Sequence, residues 1–326
     1  MIVFSDMDGT FLTSTKEVSP LAWRALDEMA AHGYEFVPCT GRPLVSVYPE
    51  ILAHPAVHYA VCANGASVYQ VSDDGANPVA IYEAPLARDK ALQVLEIARP
   101  HDVTFDVFAD GNCYTNRAMY DRLDEYAGDP FILESLRRSR TPVDEQPEES
   151  IARVHMLERV SMYWYDPNDR DAILAGLRDV DDINVTRSYS MNIEVMGDGV
   201  CKGTALAWLC SHLGIDVADA IAFGDNINDI EMLQVSGLGV AVANAEPEVR
   251  EAADLVAATN DEDGVAHVIL DQLAARSTAA NLPDSPARGA VPAAPRGRGC
   301  SPPRDRRPHA ARGGRSPWRS PAPPGG

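Results

Sequence analysis

Over the first 276 residues, short apolar runs alternate with amphipathic stretches, the pattern of strand-helix-strand units that build a mostly parallel sheet. Residues 2–4 read as a short buried strand. Ser19 and Pro20 have the chemistry of an N-cap and first helical position, for a helix with Leu21, Ala25, Leu26 and Met29 on one side and Gly33 as its stop. Residues 34–39 and 220–223 read as further strands. Asn64-Gly65, between strand-like 59–63 and 67–71, has the turn chemistry of a hairpin. From about Tyr82 to Ser188 the texture changes, with strand-like 103–108 and 161–165 beside helical 88–98 and 168–178. The expected organisation is α/β: a core in two parts, 1–82 and 189–276, an inserted α+β domain at 83–188, and a tail at 277–326.

Charge separates the tail from the rest. Residues 277–326 hold 9 Arg and 2 acids, and the body holds 19 Lys and Arg against 46 acids. An acidic body argues against sequence-independent binding of nucleic acid, which depends on cations neutralising phosphates. The tail also has 11 Pro and 7 Gly in 50 residues with few sizeable apolar groups, so it is expected to be disordered. A passive extension, a basic arm for an acidic partner and a shifted reading frame all suit that composition. Six cysteines without a C-x-x-C pair, and a strand-like opening in place of a leader, predict a reduced, cytoplasmic protein without disulfides or zinc. No run of 18 apolar residues predicts a membrane span, so no membrane partner is expected.

The chemistry concentrates where strands are expected to end. Asp6-Met7-Asp8-Gly9-Thr10 follows the first strand directly, and two carboxylates two residues apart there can enter one crevice, where ligands of open α/β sheets bind. A second strand ends in Thr40-Gly41-Arg42, a hydroxyl, a close-approach glycine and a guanidinium that suit a phosphate. Lys202, one of only three lysines, opens a helix over 204–213. A fourth strand runs into Gly224-Asp225-Asn226-Ile227-Asn228-Asp229. Crowded carboxylates repel and favour protonation unless a cation neutralises them. Magnesium answers that need, because it takes oxygen ligands and commonly one or two carboxylates with a substrate phosphate. None of the eight histidines sits in these segments, which argues against histidine chemistry, and Cys39 and Cys201 read as small core residues.

These four segments, in this order, resemble the haloacid dehalogenase superfamily of aspartyl-phosphate phosphatases. Ala63-Asn64-Gly65-Ala66, the stretch from Ser190 to Val195, that from Gly239 to Ala245, and that from Asn260 to Val265 are similar to its Cof-type branch, in which a cap lies between the second and third motifs. The resemblance covers about residues 1–276 and implies a Rossmann-like core. It implies Asp6 as nucleophile and magnesium ligand, with Asp8 as general acid and base whose backbone carbonyl also binds the metal. Asp225 would be the remaining protein ligand. Thr40, the backbone around Met7 and Gly41, Lys202 and Asn228 would hold the phosphoryl group, and Asp229 would orient Lys202 or a metal-bound water. Arg42 stands open between a substrate contact and a structural ion pair.

The expected activity is therefore magnesium-dependent hydrolysis of a small phosphorylated metabolite through a phosphoaspartate, with sugar phosphates first and phosphorylated flavin precursors, nucleotides and pyridoxal phosphate open. A phosphomutase of related architecture and a non-catalytic module that binds phosphorylated metabolites are the alternatives. A transport ATPase of the same chemistry is set aside for want of membrane spans.

Overall fold

The computed structural model of the chain describes residues 1–280, apart from 73, 74 and 76. Residues 1–270 form one compact unit, and the described part of a second is residues 271–280, the later part of the helix Gly264–Ala280.

Its core is a five-stranded sheet in which every pairing is parallel. In chain order its strands are β1 (Ile2–Ser5), β2 (Glu35–Pro38), β12 (Ala220–Gly224), β13 (Leu238–Ala241) and β14 (Leu255–Val256), arranged β14-β13-β12-β1-β2. β1 and β12 are buried along their whole length, as strands covered on both faces must be, which explains their near-continuous apolar character. Because β2, β1 and β12 are parallel neighbours in register (Ser5 beside Pro38 and Phe223), their carboxyl ends lie on one edge. Asp6, Thr40 and Asp225 each follow one of these ends within two residues. The expected mostly parallel α/β core is what forms.

Two antiparallel-rich sheets complete the unit. One joins β3 (Tyr59–Cys62), β4 (Ser67–Gln70) and β5 (Val79–Glu83). The other has six strands in the order β10-β11-β9-β6-β7-β8, formed by β6 (Asp106–Ala109), β7 (Asn112–Asn116), β8 (Thr141–Val143), β9 (Leu157–Tyr163), β10 (Ile183–Thr186) and β11 (Asn192–Gly197). Helices Arg88–Ala98 and Pro167–Leu177 pack on it through Val94, Leu95, Ile173 and Leu177.

Two expectations are corrected. The inserted segment was expected to close at 188, but β11 pairs antiparallel with both β9 and β10, so the sheet reaches Gly197. Residues 192–197 lie only a few positions before Lys202, yet their hydrogen bonds assign them to the inserted sheet. The tail was expected to begin at 277, but the helix Gly264–Ala280 carries residues 277–280; the rest of the tail lies outside the described residues.

The expected turn at Asn64-Gly65 joins β3 to β4 as three left-handed residues, Ala63 (φ 49°), Asn64 (φ 57°) and Gly65 (φ 94°). A Cβ on Gly65 would lie 2.2 Å from the Cys201 carbonyl oxygen, so the turn rests directly on the backbone that opens the helix Lys202–Leu213. Among the described residues no helix is long and apolar enough to cross a membrane.

Gly65→Ala combines a left-handed backbone with that clash. It is expected to lower the unfolding free energy by at least about 2 kcal/mol, read as a urea midpoint shift at constant slope. A change under about 0.5 kcal/mol would show that the turn does not bear on Cys201.

Candidate active site

Lys202 is the first residue of its helix and is fully buried, with its stem inside the core and its ammonium at the sheet edge. There Nζ donates to Asp6 Oδ1 at 2.5 Å and to Asp229 Oδ1 at 2.6 Å. Burial alone would push the ammonium down; Asp229 and Asp6 outweigh it and hold Lys202 well above the usual lysine range. The other oxygen of Asp229 accepts from the backbone N–H groups of Asp225 (2.9 Å) and Asn226 (3.0 Å), so this carboxylate folds its own loop and anchors the lysine together. That is the capping geometry expected of an acid three residues after Asn226.

Asp6, Asp225 and Asp229 bring carboxylate oxygens within 4.8 Å of one another. Thr10 Oγ1 donates to Asp225 Oδ1 at 2.6 Å. Burial, then Asp6 and Asp229, push Asp225 well above the ordinary carboxylate range. Asp6 is raised to about 7, first by burial; Lys202 pulls it down and only partly offsets burial and the neighbouring carboxylates. Three carboxylates around one ammonium leave a surplus of negative charge in a buried place. With both oxygens of Asp229 already engaged, Asp6 and Asp225 are the side chains that could take a divalent cation. The donor set is all oxygen, which suits magnesium.

Asp8 is separated from this cluster by its own cations. Arg42 meets it with a fork of two bonds, Nε to Oδ2 at 2.6 Å and Nη2 to Oδ1 at 2.8 Å, and Lys16 adds a third contact at 3.0 Å. Burial would raise Asp8, yet Arg42 and then Lys16 prevail and bring it down to about 2. Arg42 also reaches the Ser46 carbonyl and lies over the Tyr48 ring, so in this structure it is an ion-pair partner of Asp8.

One cleft is lined by Asp6, Asp8, Thr40, Gly41, Arg42 and Asn228 from the core loops and by Phe108, Arg140, Arg159, Tyr163, Tyr189 and Glu194 from the inserted segment. Thr40 is buried and accepts the Arg42 backbone N–H on Oγ1 at 3.1 Å. The Met7 side chain is buried, and its carbonyl accepts from Thr10 and Leu12, which turns the chain back after Asp6. Asn228 Nδ2 donates to Asn64 Oδ1 at 3.0 Å. All ten residues singled out from sequence thus gather at one sheet edge, although Arg42 meets Asp8, and Lys202, Asp225 and Asp229 stand beside Asp6 rather than along the cleft wall.

Sequence reasoning assigned no role to Asn64, Arg140, Arg159, Tyr189 or Glu194. Asn64 and Glu194 stood inside noted segments, and their chemistry depends on partners 130 residues apart. The residues of the inserted domain follow no spacing that could have flagged them.

The profile of the haloacid dehalogenase-like hydrolases matches residues 3–269. The chain is 27% identical to the pyridoxal phosphate phosphatase of Escherichia coli, covering 83% of this chain and 98% of that one. It is 28% identical to the 5-amino-6-(5-phospho-D-ribitylamino)uracil phosphatase of Bacillus subtilis, covering 82% and 94%. A solved structure of a haloacid dehalogenase-like hydrolase from B. subtilis superimposes with a TM-score of 0.71 at 26% identity, over 82% of this chain and 98% of that one.

The buried acid gives a signed pH dependence. Against an ordinary 3.8, the folded-state value near 7 means that metal-free folded protein holds a proton on Asp6 that the unfolded chain has released. Asp6 therefore contributes stability that is full below pH 3.8 and is lost as pH rises through 7. In metal-free buffer the unfolding free energy of the wild type is expected to fall relative to Asp6→Asn between those values. A pH-independent difference would contradict the buried placement.

Proposed function

The chain belongs to the haloacid dehalogenase-like hydrolases, and from that premise we propose that it is a magnesium-dependent phosphatase that hydrolyses a small phosphorylated metabolite through a phosphoaspartate on Asp6. The observation that carries this reading is Lys202 bridging Asp6 and Asp229 beside Asp225, at the carboxyl ends of adjacent parallel strands. Phosphoryl transfer is mostly positioning and charge stabilisation, and this edge concentrates both.

Asp6 and Asp225, with the backbone carbonyl of Asp8, would hold the ion. Bound magnesium supplies the positive charge that keeps Asp6 ionised and withdraws electron density from the phosphoryl oxygens. Thr40, the backbone about Met7 and Gly41, Lys202 and Asn228 hold the phosphoryl group. Asp6 attacks phosphorus with a carboxylate oxygen while the ester P–O bond breaks, and Asp8 gives its proton to the departing oxygen. Water then attacks the phosphoaspartate, Asp8 takes back a proton, and the P–O bond to Asp6 breaks to release phosphate. The Arg42 and Lys16 contacts keep Asp8 ionised in the resting site, the form needed as base. Its acid role requires the substrate's negative charge to draw Arg42 and Lys16 away, so that Asp8 takes up a proton from solvent before the ester bond breaks. Asp229 acts through Lys202 and the loop 225–229.

The family's named phosphatases act on phosphorylated small molecules, which supports the same class here, sugar phosphates and phosphorylated heterocycles included. Phe108, Tyr163, Arg140 and Arg159, which line the cleft, would choose the leaving group. The protein is proposed to work in the cytoplasm on a diffusible substrate, without nucleic acid or membrane partners.

A phosphate-release screen over phosphorylated metabolites, with and without magnesium, tests the reading. Wild type is expected to release phosphate only with the metal, and Asp6→Asn to lose at least roughly a thousandfold in kcat. Isomerised ester in place of free phosphate would instead mark a mutase. Magnesium is also expected to raise the thermal midpoint of wild type and to leave that of Asp225→Asn unmoved; equal shifts would remove Asp225 from the ligand set.

A further inference from the structure

Glu194 lies on β11 of the six-stranded sheet, 1% exposed, and gathers donors from several segments. Its Oε1 accepts from Arg159 Nη1, Ser188 Oγ (3.0 Å) and Asn192 Nδ2 (3.2 Å), and its Oε2 accepts from Asn64 Nδ2 at 2.7 Å. Among so many donors the group acts as a carboxylate, which only accepts. Asn64 must then turn its amide nitrogen toward Glu194 and its Oδ1 away. That Oδ1 accepts from Asn228 Nδ2, so the second amide is oriented by the first. The result leaves Asn228 Oδ1 buried without a hydrogen-bond partner among the described residues, on a side chain that lines the cleft.

A second arm leaves the same carboxylate through Arg159. Its guanidinium lies 3.6 Å from the Phe108 ring centroid, and Nη2 donates to the Gly41 carbonyl at 2.7 Å. The two arms meet, because a Cβ on Gly41 would come within 2.9 Å of Asn64 Oδ1. One carboxylate of the inserted sheet is therefore bonded, through one intermediate residue each, to Gly41 and to Asn228.

We propose that Glu194 is a positioning residue: through Asn64 and through Arg159 it sets which atoms of the Gly41 and Asn228 loops face the phosphoryl group. The inference rests on the function proposed above, and it concerns the direction of a hydrogen-bond chain, which charge-conserving substitutions can reverse.

Glu194→Gln puts an N–H donor against either Asn64 Nδ2 or Arg159 Nη1. It is expected to lower kcat/KM for phosphate release by roughly 10–100-fold, the scale of a small misplacement at the reacting centre. It is also expected to weaken binding of inorganic phosphate in the presence of magnesium, measured by calorimetry. In the double variant E194Q/N64D the new amide donates to the new carboxylate at position 64, which still accepts from Asn228, while the amide oxygen still accepts from Arg159. Net charge is that of the wild type. Recovery of at least about tenfold in both readouts over E194Q, with N64D alone below the double variant, is the expected result.

The inference is overturned if E194Q stays within about twofold of wild type in both readouts, or if the double variant is folded but no better than E194Q. Should E194Q fail to fold, a folded and active double variant supports the inference and an unfolded one overturns it. A wild type that releases no phosphate from any ester sinks the proposed function, and the phosphate-binding comparison then decides the role of Glu194 alone. Loss in Asp6→Asn with E194Q unaffected rejects the Glu194 inference and leaves the function standing.

Discussion

A buried ammonium between two carboxylates holds the site together. An isolated lysine cation inside a core would cost several kcal/mol, and removing one partner from a buried pair costs about 3–5 kcal/mol because the other charge is stranded. Lys202 meets this constraint by touching Asp6 and Asp229 at once, and each partner is secured in turn. Asp6 follows β1, the strand between β2 and β12, and Asp229 is tied to two backbone N–H groups of its own loop. The opening of the lysine's helix is itself pressed by the left-handed turn at residues 63–65. Loops that are remote in sequence are thereby locked to one point, with a surplus of negative charge that favours a divalent cation.

Asp6 and Asp8 illustrate how environment separates two carboxyls only two residues apart. Asp6 faces inward among other acids and burial raises it; Asp8 faces a guanidinium and an ammonium and is lowered despite burial. Groups whose proton affinities are driven apart in this way can take different parts in one reaction. In the proposed reaction the inward acid attacks and the outward one moves the proton once Arg42 and Lys16 are drawn off. The six-stranded sheet reaches the same cleft through Glu194, which bonds Asn64 directly and Gly41 by way of Arg159.

The parts read correctly from sequence share a property: their signal is local. The apolar run of β1, the Ser19-Pro20 helix start, the Asn64-Gly65 turn and the acid-rich 225–229 loop each depend on a few consecutive residues. The end of the inserted segment was misplaced because membership of a sheet is decided by a pairing partner. Residues 192–195 sit close to Lys202 in the chain but bond to 160–163. Residues 277–280 were assigned to the tail by composition, whereas the helix before them continues through small, helix-tolerant residues.

By itself the sequence determined which chemistry is present: the acid pair after the first strand, the hydroxyl and guanidinium after the second, a scarce lysine, and the acids and amides of the last loop. Order and spacing placed each at a strand end because period and turn chemistry act over a few residues. Only the tertiary structure decided how these groups are wired. It paired Arg42 with Asp8, gave both oxygens of Asp229 to structural partners, and brought Asn64, Arg159 and Glu194 to the cleft. Apart from the bonds of Asp229 to its own loop, those pairings join residues 27 to 130 positions apart, and a side chain's charge state and bonding direction depend on what folding sets beside it, which one stretch of sequence does not contain.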